Sequence, residues 1–281
     1  MKILIIGNGF LGKRCLNAWP DAIMAEARIE SAQDVLDLLD KHKPDAVLNS
    51  AGVVGKPNVD WCETHQLETA FGNTILPIMI AKACAENGVY LLHMGTGCIF
   101  YGDSPNKDGW RENDHANPSA VYTRTKYAGD LVLSTIPNVG IARIRMPIDS
   151  IPHPANLIDK ISKYEKVVDV RNSVTVVEDM IEVFHQLIEK KSTGIFHVVN
   201  PGSISHKEIL DYYKQFVDSK HDCQWIGEQD LVELGLAKKK RSNNIMSSNN
   251  LAGIGINMRP VSEAVKDCMQ KYATARKNIL I

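Results

Sequence analysis

Short apolar runs alternate, over the first half of the chain, with longer segments in which apolar residues recur every three or four positions. The first run, Ile3 to Ile6, has the continuous apolar character of a strand buried on both faces. Later runs of the same kind predict four more strands, at 22–25, 46–49, 89–94 and 141–145. This alternation of strands and helices predicts an α/β fold built on a parallel sheet.

The helical segments between these runs carry start and stop signals. Ser31 and Asp34 have the spacing of a capping box at the start of a helix. A longer helical stretch covers residues 58–87, with Pro77 as the expected kink or break. A further helix is predicted over 119–134.

A glycine-rich loop follows the first predicted strand directly. It reads Gly7-Asn8-Gly9-Phe10-Leu11-Gly12, the G-x-G-x-x-G pattern that dinucleotide-binding folds carry at this position. The glycines allow a tight turn and a close approach to a pyrophosphate, which then rests on the amino end of the next helix. These six residues are therefore predicted to bind a cofactor within a Rossmann-type, doubly wound parallel sheet.

Two other strand ends are expected to complete the cofactor site. Ser50, Ala51 and Gly52 follow the third strand, and their small size leaves room for adenine and ribose. Glu26 and Arg28 follow the second strand, where the ribose is commonly read. Arg28 suits a 2′-phosphate and Glu26 a 2′-hydroxyl, so the sequence favours NADP(H) and leaves NAD(H) open.

The alternation of strands and helices lapses after residue 146 and returns near residue 174. We therefore predict an NAD(P)-binding Rossmann domain formed by 1–146 with 173–199. Residues 147–172 with 200–281 are predicted to form a smaller substrate-binding lobe. Residues 101–118 are rich in Gly, Pro, Asn and Asp, which predicts an irregular loop.

Composition and charge restrict the functional class. The 281 residues are 44% hydrophobic and 23% charged, and their formal net charge of -1 favours neither nucleic acid nor an anionic membrane surface. The six cysteines show neither CxxC spacing nor a metal-binding pattern, as expected in a reducing cytoplasm. No apolar stretch approaches the ~20 residues of a membrane-spanning helix. We expect a cytoplasmic protein without a structural metal that acts on a small molecule.

Four side chains with useful chemistry lie between residues 96 and 126. Thr96 and Cys98 follow the fourth strand, and residues two apart on an extended chain point to the same side. Tyr122 and Lys126 are one turn apart on a predicted helix, so an ammonium group can lower the pKa of the phenol. The set is suited to donating a proton to an oxygen whose carbon receives hydride from a nicotinamide.

Together with these residues, five stretches carry a resemblance to a known family. They read AGVVGKPNVDWCE (51–63), TGCIF (96–100), RIRMP (143–147), NPGSISHKEIL (200–210) and RSNN (241–244). The chain resembles the extended short-chain dehydrogenases/reductases, in particular the dTDP-4-dehydrorhamnose reductase branch. Within that branch it is similar to the nucleotide-rhamnose synthase/epimerase-reductase enzymes of plants and large viruses.

The resemblance implies two reactions on UDP-4-keto-6-deoxyglucose, which are 3,5-epimerisation and then 4-keto reduction to UDP-L-rhamnose. Through it, Cys98 and Lys160 are expected to act as the acid-base pair of the epimerisation. It also implies a cofactor contact by Met146 and substrate contacts by Asn58, Asn156 and Arg241, the last as a diphosphate anchor. A separate 4,6-dehydratase would supply the substrate, and a homodimer is one candidate assembly.

Three alternatives compete with this interpretation. The chain could reduce a dTDP- or UDP-linked sugar without epimerising it, or serve as a non-catalytic nucleotide-binding regulatory subunit of the same fold. Retention of Thr96, Tyr122 and Lys126 argues against the regulatory subunit, because a binding module does not need a phenol and amine pair. A 4,6-dehydratase requires an Asp-Glu pair directly after the strand-end Thr, where this chain has Gly97 and Cys98.

Overall fold

The computed structural model describes residues 1–26, 28–239 and 241–279, and the chain divides into two compact units. Unit 1 comprises Met1–Ile99, His115–Arg143 and Ile181–Phe196. Unit 2 comprises Phe100–Asp114, Ile144–Met180 and His197–Ile281. The sequence placed 100–114, 144–146, 173–180 and 197–199 in the NAD(P)-binding domain, whereas the structure assigns these four segments to unit 2.

The secondary structure is as follows. The α-helices of the described residues are α1 (Phe10–Ala18), α2 (Ala32–His42), α3 (Gln66–Ala70), α4 (Leu76–Glu86), α5 (Val121–Leu133), α6 (Leu157–Ile161), α7 (Val177–Glu189), α8 (His206–Phe216), α9 (Asp230–Glu233), α10 (Asn249–Gly253) and α11 (Val261–Ile279). The strands are β1 (Ile3–Ile6), β2 (Ala22–Met24), β3 (Ala46–Asn49), β4 (Tyr90–Thr96), β5 (Val139–Ile144), β6 (Pro147–Ile148), β7 (Lys166–Val168), β8 (Arg171–Asn172), β9 (Thr175–Val176), β10 (Gly194–Val198), β11 (Ile204–Ser205) and β12 (Gln224–Ile226). Short 3-10 helices span Val59–Thr64 and Gly97–Ile99.

A six-stranded sheet forms the centre of unit 1, apart from the last residues of β5 and β10, which belong to unit 2. Its strand order is β10-β5-β4-β3-β1-β2. Strand β1 pairs in parallel with β2 and with β3, and β3 pairs in parallel with β4. The winding direction reverses between β1 and β3, where doubly wound sheets open a crevice at the carboxyl ends of their strands. The sequence prediction of a Rossmann-type α/β fold is confirmed.

The helices of unit 1 follow local signals in the sequence. Ser31 and Asp34 form the predicted capping box at the start of α2, with Oγ of Ser31 accepting from the backbone N–H of Asp34. The predicted long helix over 58–87 is instead interrupted by a π-helical turn at Phe71–Ile75. Pro77 follows that turn and lies in the first turn of α4, so the predicted break falls at the junction of the π-helical turn and α4.

Unit 2 has its own hydrophobic core, formed by α6, α8 and α11 with β6 and β9. Ile158, Leu210 and Met269 are among its buried residues. Three two-stranded sheets complete the unit: β6 with β9 and β7 with β12 in parallel, and β8 with β11 antiparallel. Arg259 binds Asp179 at 2.6 Å and Asp267 at 2.9 Å, which joins α7 to α11.

Two absences can be stated for the described ranges. No helix there has both the length and the apolar character to cross a membrane. Among the same residues, no cluster of three or more His, Cys, Asp or Glu side chains could hold a metal ion.

Candidate active site

The glycine loop packs closely against the end of β3. Gly7 has a φ of +115°, which residues with a side chain rarely adopt. The hydroxyl of Ser50 donates to the carbonyls of Ile6 at 3.1 Å and of Gly7 at 2.9 Å. A methyl group on Gly12 would lie 2.5 Å from Oγ of Ser50. Gly7 and Gly12 are therefore required by contacts within the protein.

Gly9 has a different environment from the other two glycines of the loop. A Cβ atom built on Gly9 meets no protein atom within 4 Å. Gly9 is also the N-cap of α1, where no side chain caps the helix and no acidic residue lies in the first turn. An uncapped helix amino terminus beside open space attracts anions through its N–H groups and its dipole. These residues fit the pyrophosphate of a dinucleotide.

The two residues predicted to read the ribose both form ion pairs on the surface. Glu26 lies 3.3 Å from Nζ of Lys41. Nε of Arg28 lies 3.6 Å from Glu30, and 87% of the Arg28 side chain is exposed. Ala27, between the two, lies outside the described residues. Both side chains are thus ion-paired, but the exposed guanidinium of Arg28 is the group of the two that suits an added phosphate.

The structure changes the relation between Thr96 and Cys98. Thr96 is the last residue of β4, but Cys98 lies in the 3-10 helix Gly97–Ile99 and not on an extended chain. The argument from strand alternation was therefore wrong. The backbone N–H of Cys98 instead donates to Oγ1 of Thr96 at 3.2 Å, so the two residues are joined by a tight turn. By accepting this bond, the Thr96 hydroxyl keeps its own hydrogen for donation to a substrate oxygen.

Cys98 also differs from the other cysteines of unit 1 in exposure. Cys15, Cys62 and Cys84 are buried, whereas Cys98 is partly exposed. Burial raises the pKa of Cys15 and of Cys84 to about 12, so these thiols stay protonated at neutral pH. Cys98 is thus the thiol of unit 1 that a ligand can reach.

Helix α5 carries Tyr122 and Lys126 and is anchored from several sides. The carboxylate of Glu63 accepts from the N–H of Val121, the first residue of the helix, at 2.8 Å. Oγ1 of Thr74 donates to the carbonyl of Thr125 at 2.7 Å. These bonds fix the rotation of the helix about its axis. Tyr122 and Lys126 lie four residues apart on α5, as predicted.

Lys126 is buried, and its amine contacts strand β4. Only 5% of the residue is exposed. Nζ donates to the carbonyl of Met94 at 2.9 Å and lies 3.3 Å from Nε2 of His93. Burial lowers the pKa of Lys126 from 10.5 to about 8, against an opposing effect of the Asp130 carboxylate. The amine therefore titrates much nearer to neutral pH than an ordinary lysine does.

Two buried polar residues beside Lys126 received no role from the sequence. His93 and Asn49 are both fully buried, and Nδ2 of Asn49 lies 3.0 Å from Nδ1 of His93. Oδ1 of Asn49 accepts from the N–H of Ala51 at 3.0 Å. The sequence does contain a signal for them, because each is a polar residue within a predicted strand that is otherwise apolar. The structure pairs Asn49 of β3 in register with His93 of β4.

A buried ion pair lies next to Lys126. Asp130, one turn further along α5, binds Nε of Arg143 on β5 at 2.8 Å, and the two side chains are 1% and 2% exposed. Charges this deeply buried are tolerated only when they are paired.

Unit 2 contains a cavity of about 630 Å³ with a polar lining. Its walls include Arg171, Arg241 and Glu228, together with backbone and side chains of the 101–109 segment. That segment has no regular secondary structure, as predicted for the loop at 101–118. Two guanidinium groups at one cavity suit a ligand with phosphate groups. Arg241, the predicted diphosphate anchor, lines this cavity, and its role stays a prediction.

The chain matches the family described as the RmlD substrate binding domain over residues 1–274. It belongs to this family. Among curated proteins, it is 35% identical over 249 residues to a bifunctional dTDP-4-dehydrorhamnose 3,5-epimerase/dTDP-4-dehydrorhamnose reductase of Arabidopsis thaliana. That alignment covers 86% of this chain and 82% of the plant protein.

Two solved structures are similar to this chain. The L780 UDP-rhamnose synthase of Acanthamoeba polyphaga mimivirus has a TM-score of 0.90 at 28% identity, covering 96% of this chain and 99% of that one. A dTDP-4-dehydrorhamnose reductase of Bacillus anthracis, solved in complex with NADP, has a TM-score of 0.81 at 22% identity, covering 95% and 97%. At that identity the second comparison shows the shared fold alone.

The remaining residues assigned through the RmlD-family resemblance have mixed environments. Asn58 is exposed and uses Oδ1 to cap the 3-10 helix Val59–Thr64 through the N–H of Asp60. Met146 lies in unit 2, packed against its hydrophobic core. Their roles stay predictions. Lys160 lies on α6 with an exposed side chain, and partial desolvation of its amine lowers its pKa.

Asn156 was predicted to contact the substrate, but its hydrogen bonds do not favour that role. Its amide donates to the carbonyls of Asp149 and Ile151, and its oxygen accepts from the N–H groups of Asp149 and Ile158. The hydrogen-bonding capacity of this buried side chain is used within unit 2. Asn156 therefore organises the turn before α6, and the predicted substrate contact is not supported by its bonds.

Proposed function

We propose that this chain is an NADPH-dependent 4-keto-reductase of a nucleotide-linked 4-keto-6-deoxy sugar that also epimerises the sugar at C3 and C5. The proposed substrate is UDP-4-keto-6-deoxyglucose and the proposed product is UDP-L-rhamnose. The observation that carries the reductase assignment is the buried Lys126 amine on the same helical face as Tyr122, in a family member related to epimerase/reductases.

The proposed cofactor is NADPH, with NADH as the second choice. Gly7, Gly9 and the amino end of α1 would hold its pyrophosphate, and Arg28 its 2′-phosphate. When bound, the cofactor supplies a hydride to the carbonyl carbon of the substrate. This choice is supported by a dTDP-4-dehydrorhamnose reductase of the same fold that was solved in complex with NADP.

For the reduction, the chain must hold and protonate an oxygen. Tyr122 is the proposed donor, because a phenol can give its proton to an alkoxide as that charge forms. The hydroxyl of Thr96 would bind the same oxygen, since it accepts from the N–H of Cys98 and still has a hydrogen to donate.

For the epimerisation, the chain must move protons on carbon. A 4-keto group acidifies the hydrogens at C3 and C5, and the enolate oxygen needs the same donors as the reduction. Cys98 is proposed as one acid-base group, because it is the partly exposed thiol of unit 1 and is bonded through its backbone to Thr96. Lys160 is the proposed second group, on the strength of the family resemblance.

The reductase proposal is tested by turnover. UDP- and dTDP-4-keto-6-deoxyglucose are each incubated with NADPH and with NADH, and the product sugar is identified by NMR. We expect UDP-L-rhamnose from the UDP sugar, with NADPH preferred. If neither sugar is reduced with either cofactor, a non-catalytic nucleotide-binding subunit becomes the better description.

Solvent exchange tests the epimerase activity separately. Without reductant in heavy water, the wild type should introduce deuterium at C3 and C5 of the 4-keto sugar. Cys98→Ser should abolish the exchange and keep NADPH affinity unchanged. Cys223→Ser, at a partly exposed cysteine of unit 2, is the matched control and should exchange like the wild type. Reduction without any exchange in the wild type would indicate a monofunctional reductase.

A further inference from the structure

His93 is a fully buried imidazole to which the proposed reaction gives no role. It lies on β4 between Asn49 of β3 and Lys126 of α5. Its Nδ1 is 3.0 Å from Nδ2 of Asn49, and its Nε2 is 3.3 Å from Nζ of Lys126. Both ring nitrogens therefore have a polar partner, and one partner is the amine of the proposed catalytic set.

The direction of these hydrogen bonds follows from the backbone. The N–H of Ala51 can only donate, and it lies 3.0 Å from Oδ1 of Asn49. The amide of Asn49 therefore turns its NH₂ group toward His93, and Nδ1 of His93 must accept. A neutral imidazole carries its proton on the other nitrogen, so the tautomer of His93 has its N–H at Nε2. Burial keeps the pKa of His93 well below its ordinary value, and the charge of Lys126 acts in the same direction.

The Nε2–H group of His93 points at Nζ of Lys126. An ammonium group has three hydrogens and no lone pair, so it cannot accept from this N–H. A neutral amine has a lone pair that can accept. The carbonyl of Met94, 2.9 Å from Nζ, can accept from either form and binds the ammonium more strongly. The N–H of the imidazole is thus the contact that favours the neutral amine.

The charged and titratable groups around Lys126 come from three elements. Tyr122 and Asp130 lie one turn away on either side along α5, His93 faces the amine from β4, and Arg143 belongs to β5. The carboxylate of Asp130 favours the ammonium form, but it is bound to Arg143 at 2.8 Å. Arg143 therefore limits the influence of Asp130 on the amine.

We infer that His93 is a positioning residue of the proposed reductase: held in one tautomer by Asn49, its imidazole donates to Lys126 and increases the share of the neutral amine. This inference rests on the proposed function only for the role of Lys126 beside Tyr122. A nearby ammonium stabilises the phenolate of Tyr122, whereas a neutral amine leaves the phenol protonated. His93 thereby helps to keep Tyr122 in the form that can donate a proton to a substrate oxygen.

The test measures the titration of Lys126 directly, without cofactor or substrate. The full chain is labelled with ¹³C at the lysine side chains, and the Lys126 signal is assigned by its loss in Lys126→Met. His93→Gln places an amide near the amine, and its oxygen can accept from an ammonium. We expect this variant to raise the pKa of Lys126 by about one, a tenfold shift in the proton equilibrium. The control His185→Gln, on α7, should leave that pKa unchanged.

A second variant, Asn49→Asp, acts on the Lys126 amine through the hydrogen bond between residue 49 and His93. In Asn49→Asp the new carboxylate can only accept, so Nδ1 of His93 must carry a proton. In the neutral ring, Nε2 then accepts from the Lys126 ammonium, and the added carboxylate favours the same charged form. The pKa of Lys126 should therefore rise by at least as much as in His93→Gln. The two variants remove different side chains, so a folding defect in one leaves the other as the test.

Two results would overturn the inference. One is an unchanged pKa of Lys126 in folded His93→Gln and Asn49→Asp. The other is a ¹⁵N spectrum of the wild type that places the His93 proton on Nδ1. Neither depends on activity, so a chain that reduced no sugar would refute the proposed function and leave the His93 contact supported. In an active enzyme, the alkaline limb of kcat/KM should move to lower pH in His93→Gln, because the ammonium form persists and Tyr122 ionises earlier.

Discussion

Replacement of Lys126 by Met should change the pH dependence of protein stability. Lys126 is 5% exposed, and its pKa in the folded chain is lowered from 10.5 to about 8. At pH values below 8 both states carry the charge, but the folded state carries it in a buried position. The lowered pKa means that burying the charged amine costs the folded state about 3 kcal/mol, since each unit of pKa corresponds to ~1.4 kcal/mol.

The sign follows from proton binding. Between pH 8 and 10.5 the unfolded chain still binds the proton that the folded chain has released, so the free energy of unfolding rises with pH. Lys126→Met removes this contribution. It also leaves the carbonyl of Met94 without its donor, which costs about 1 to 3 kcal/mol at every pH. The lost hydrogen bond lowers the free energy of unfolding of Lys126→Met by the same amount at every pH. Only the titration of Lys126 makes the difference in free energy of unfolding between the two proteins vary with pH.

Urea unfolding of both proteins from about pH 7 to pH 10.5 measures the difference. We expect the wild type to gain about 3 kcal/mol relative to Lys126→Met across this range. Lys82→Met is the matched control, because Lys82 lies on α4 with 65% of its side chain exposed. Its curve should run parallel to that of the wild type. If the difference in free energy of unfolding between the wild type and Lys126→Met does not vary with pH, Lys126 does not have a lowered pKa in the folded protein.

Three other substitutions test separate parts of unit 1. Asp130→Asn removes the carboxylate that binds the buried Arg143 guanidinium and should lower the free energy of unfolding by about 3 to 5 kcal/mol, measured by urea unfolding. Gly9→Ala should weaken NADPH binding at least tenfold in fluorescence titrations with little loss of thermal stability, because the added methyl meets no protein atom. Gly12→Ala should instead lower stability by about 1 to 3 kcal/mol, because its methyl meets the backbone of the glycine loop. Equal effects of the two glycine substitutions on NADPH affinity and on stability would contradict their assigned roles.

The elements that could be predicted from the sequence are those governed by local signals. The first three strands were predicted to within a residue, and a helix was predicted directly after the glycine loop, because a buried apolar run and a glycine-rich turn depend on few neighbours. The capping box at Ser31 was predicted for the same reason. The π-helical turn Phe71–Ile75 could not be anticipated, because no periodic pattern marks a single wide turn within a helix.

The chemistry of the site was predictable only in part, because burial and hydrogen bonding are tertiary properties. The four-residue spacing of Tyr122 and Lys126 was sufficient to place both on α5. The backbone between Thr96 and Cys98 was not predictable, because three residues are too few for a period to distinguish a strand end from a 3-10 turn. The position of His93 beside Lys126 depends on how β4 packs against α5, which lies 33 residues away along the chain.

The buried ion pair and the buried amine on α5 depend on each other. Asp130 favours the charged form of Lys126, and an Asp130 carboxylate without a cation would act on the amine at full strength in a medium of low dielectric. Arg143 binds that carboxylate at 2.8 Å and reduces its effect. His93 therefore acts on the protonation of Lys126 against a carboxylate whose effect Arg143 reduces. Arg143, in the RIRMP stretch, contributes in this way to the chemistry of Lys126 through Asp130 as well as to the stability of unit 1.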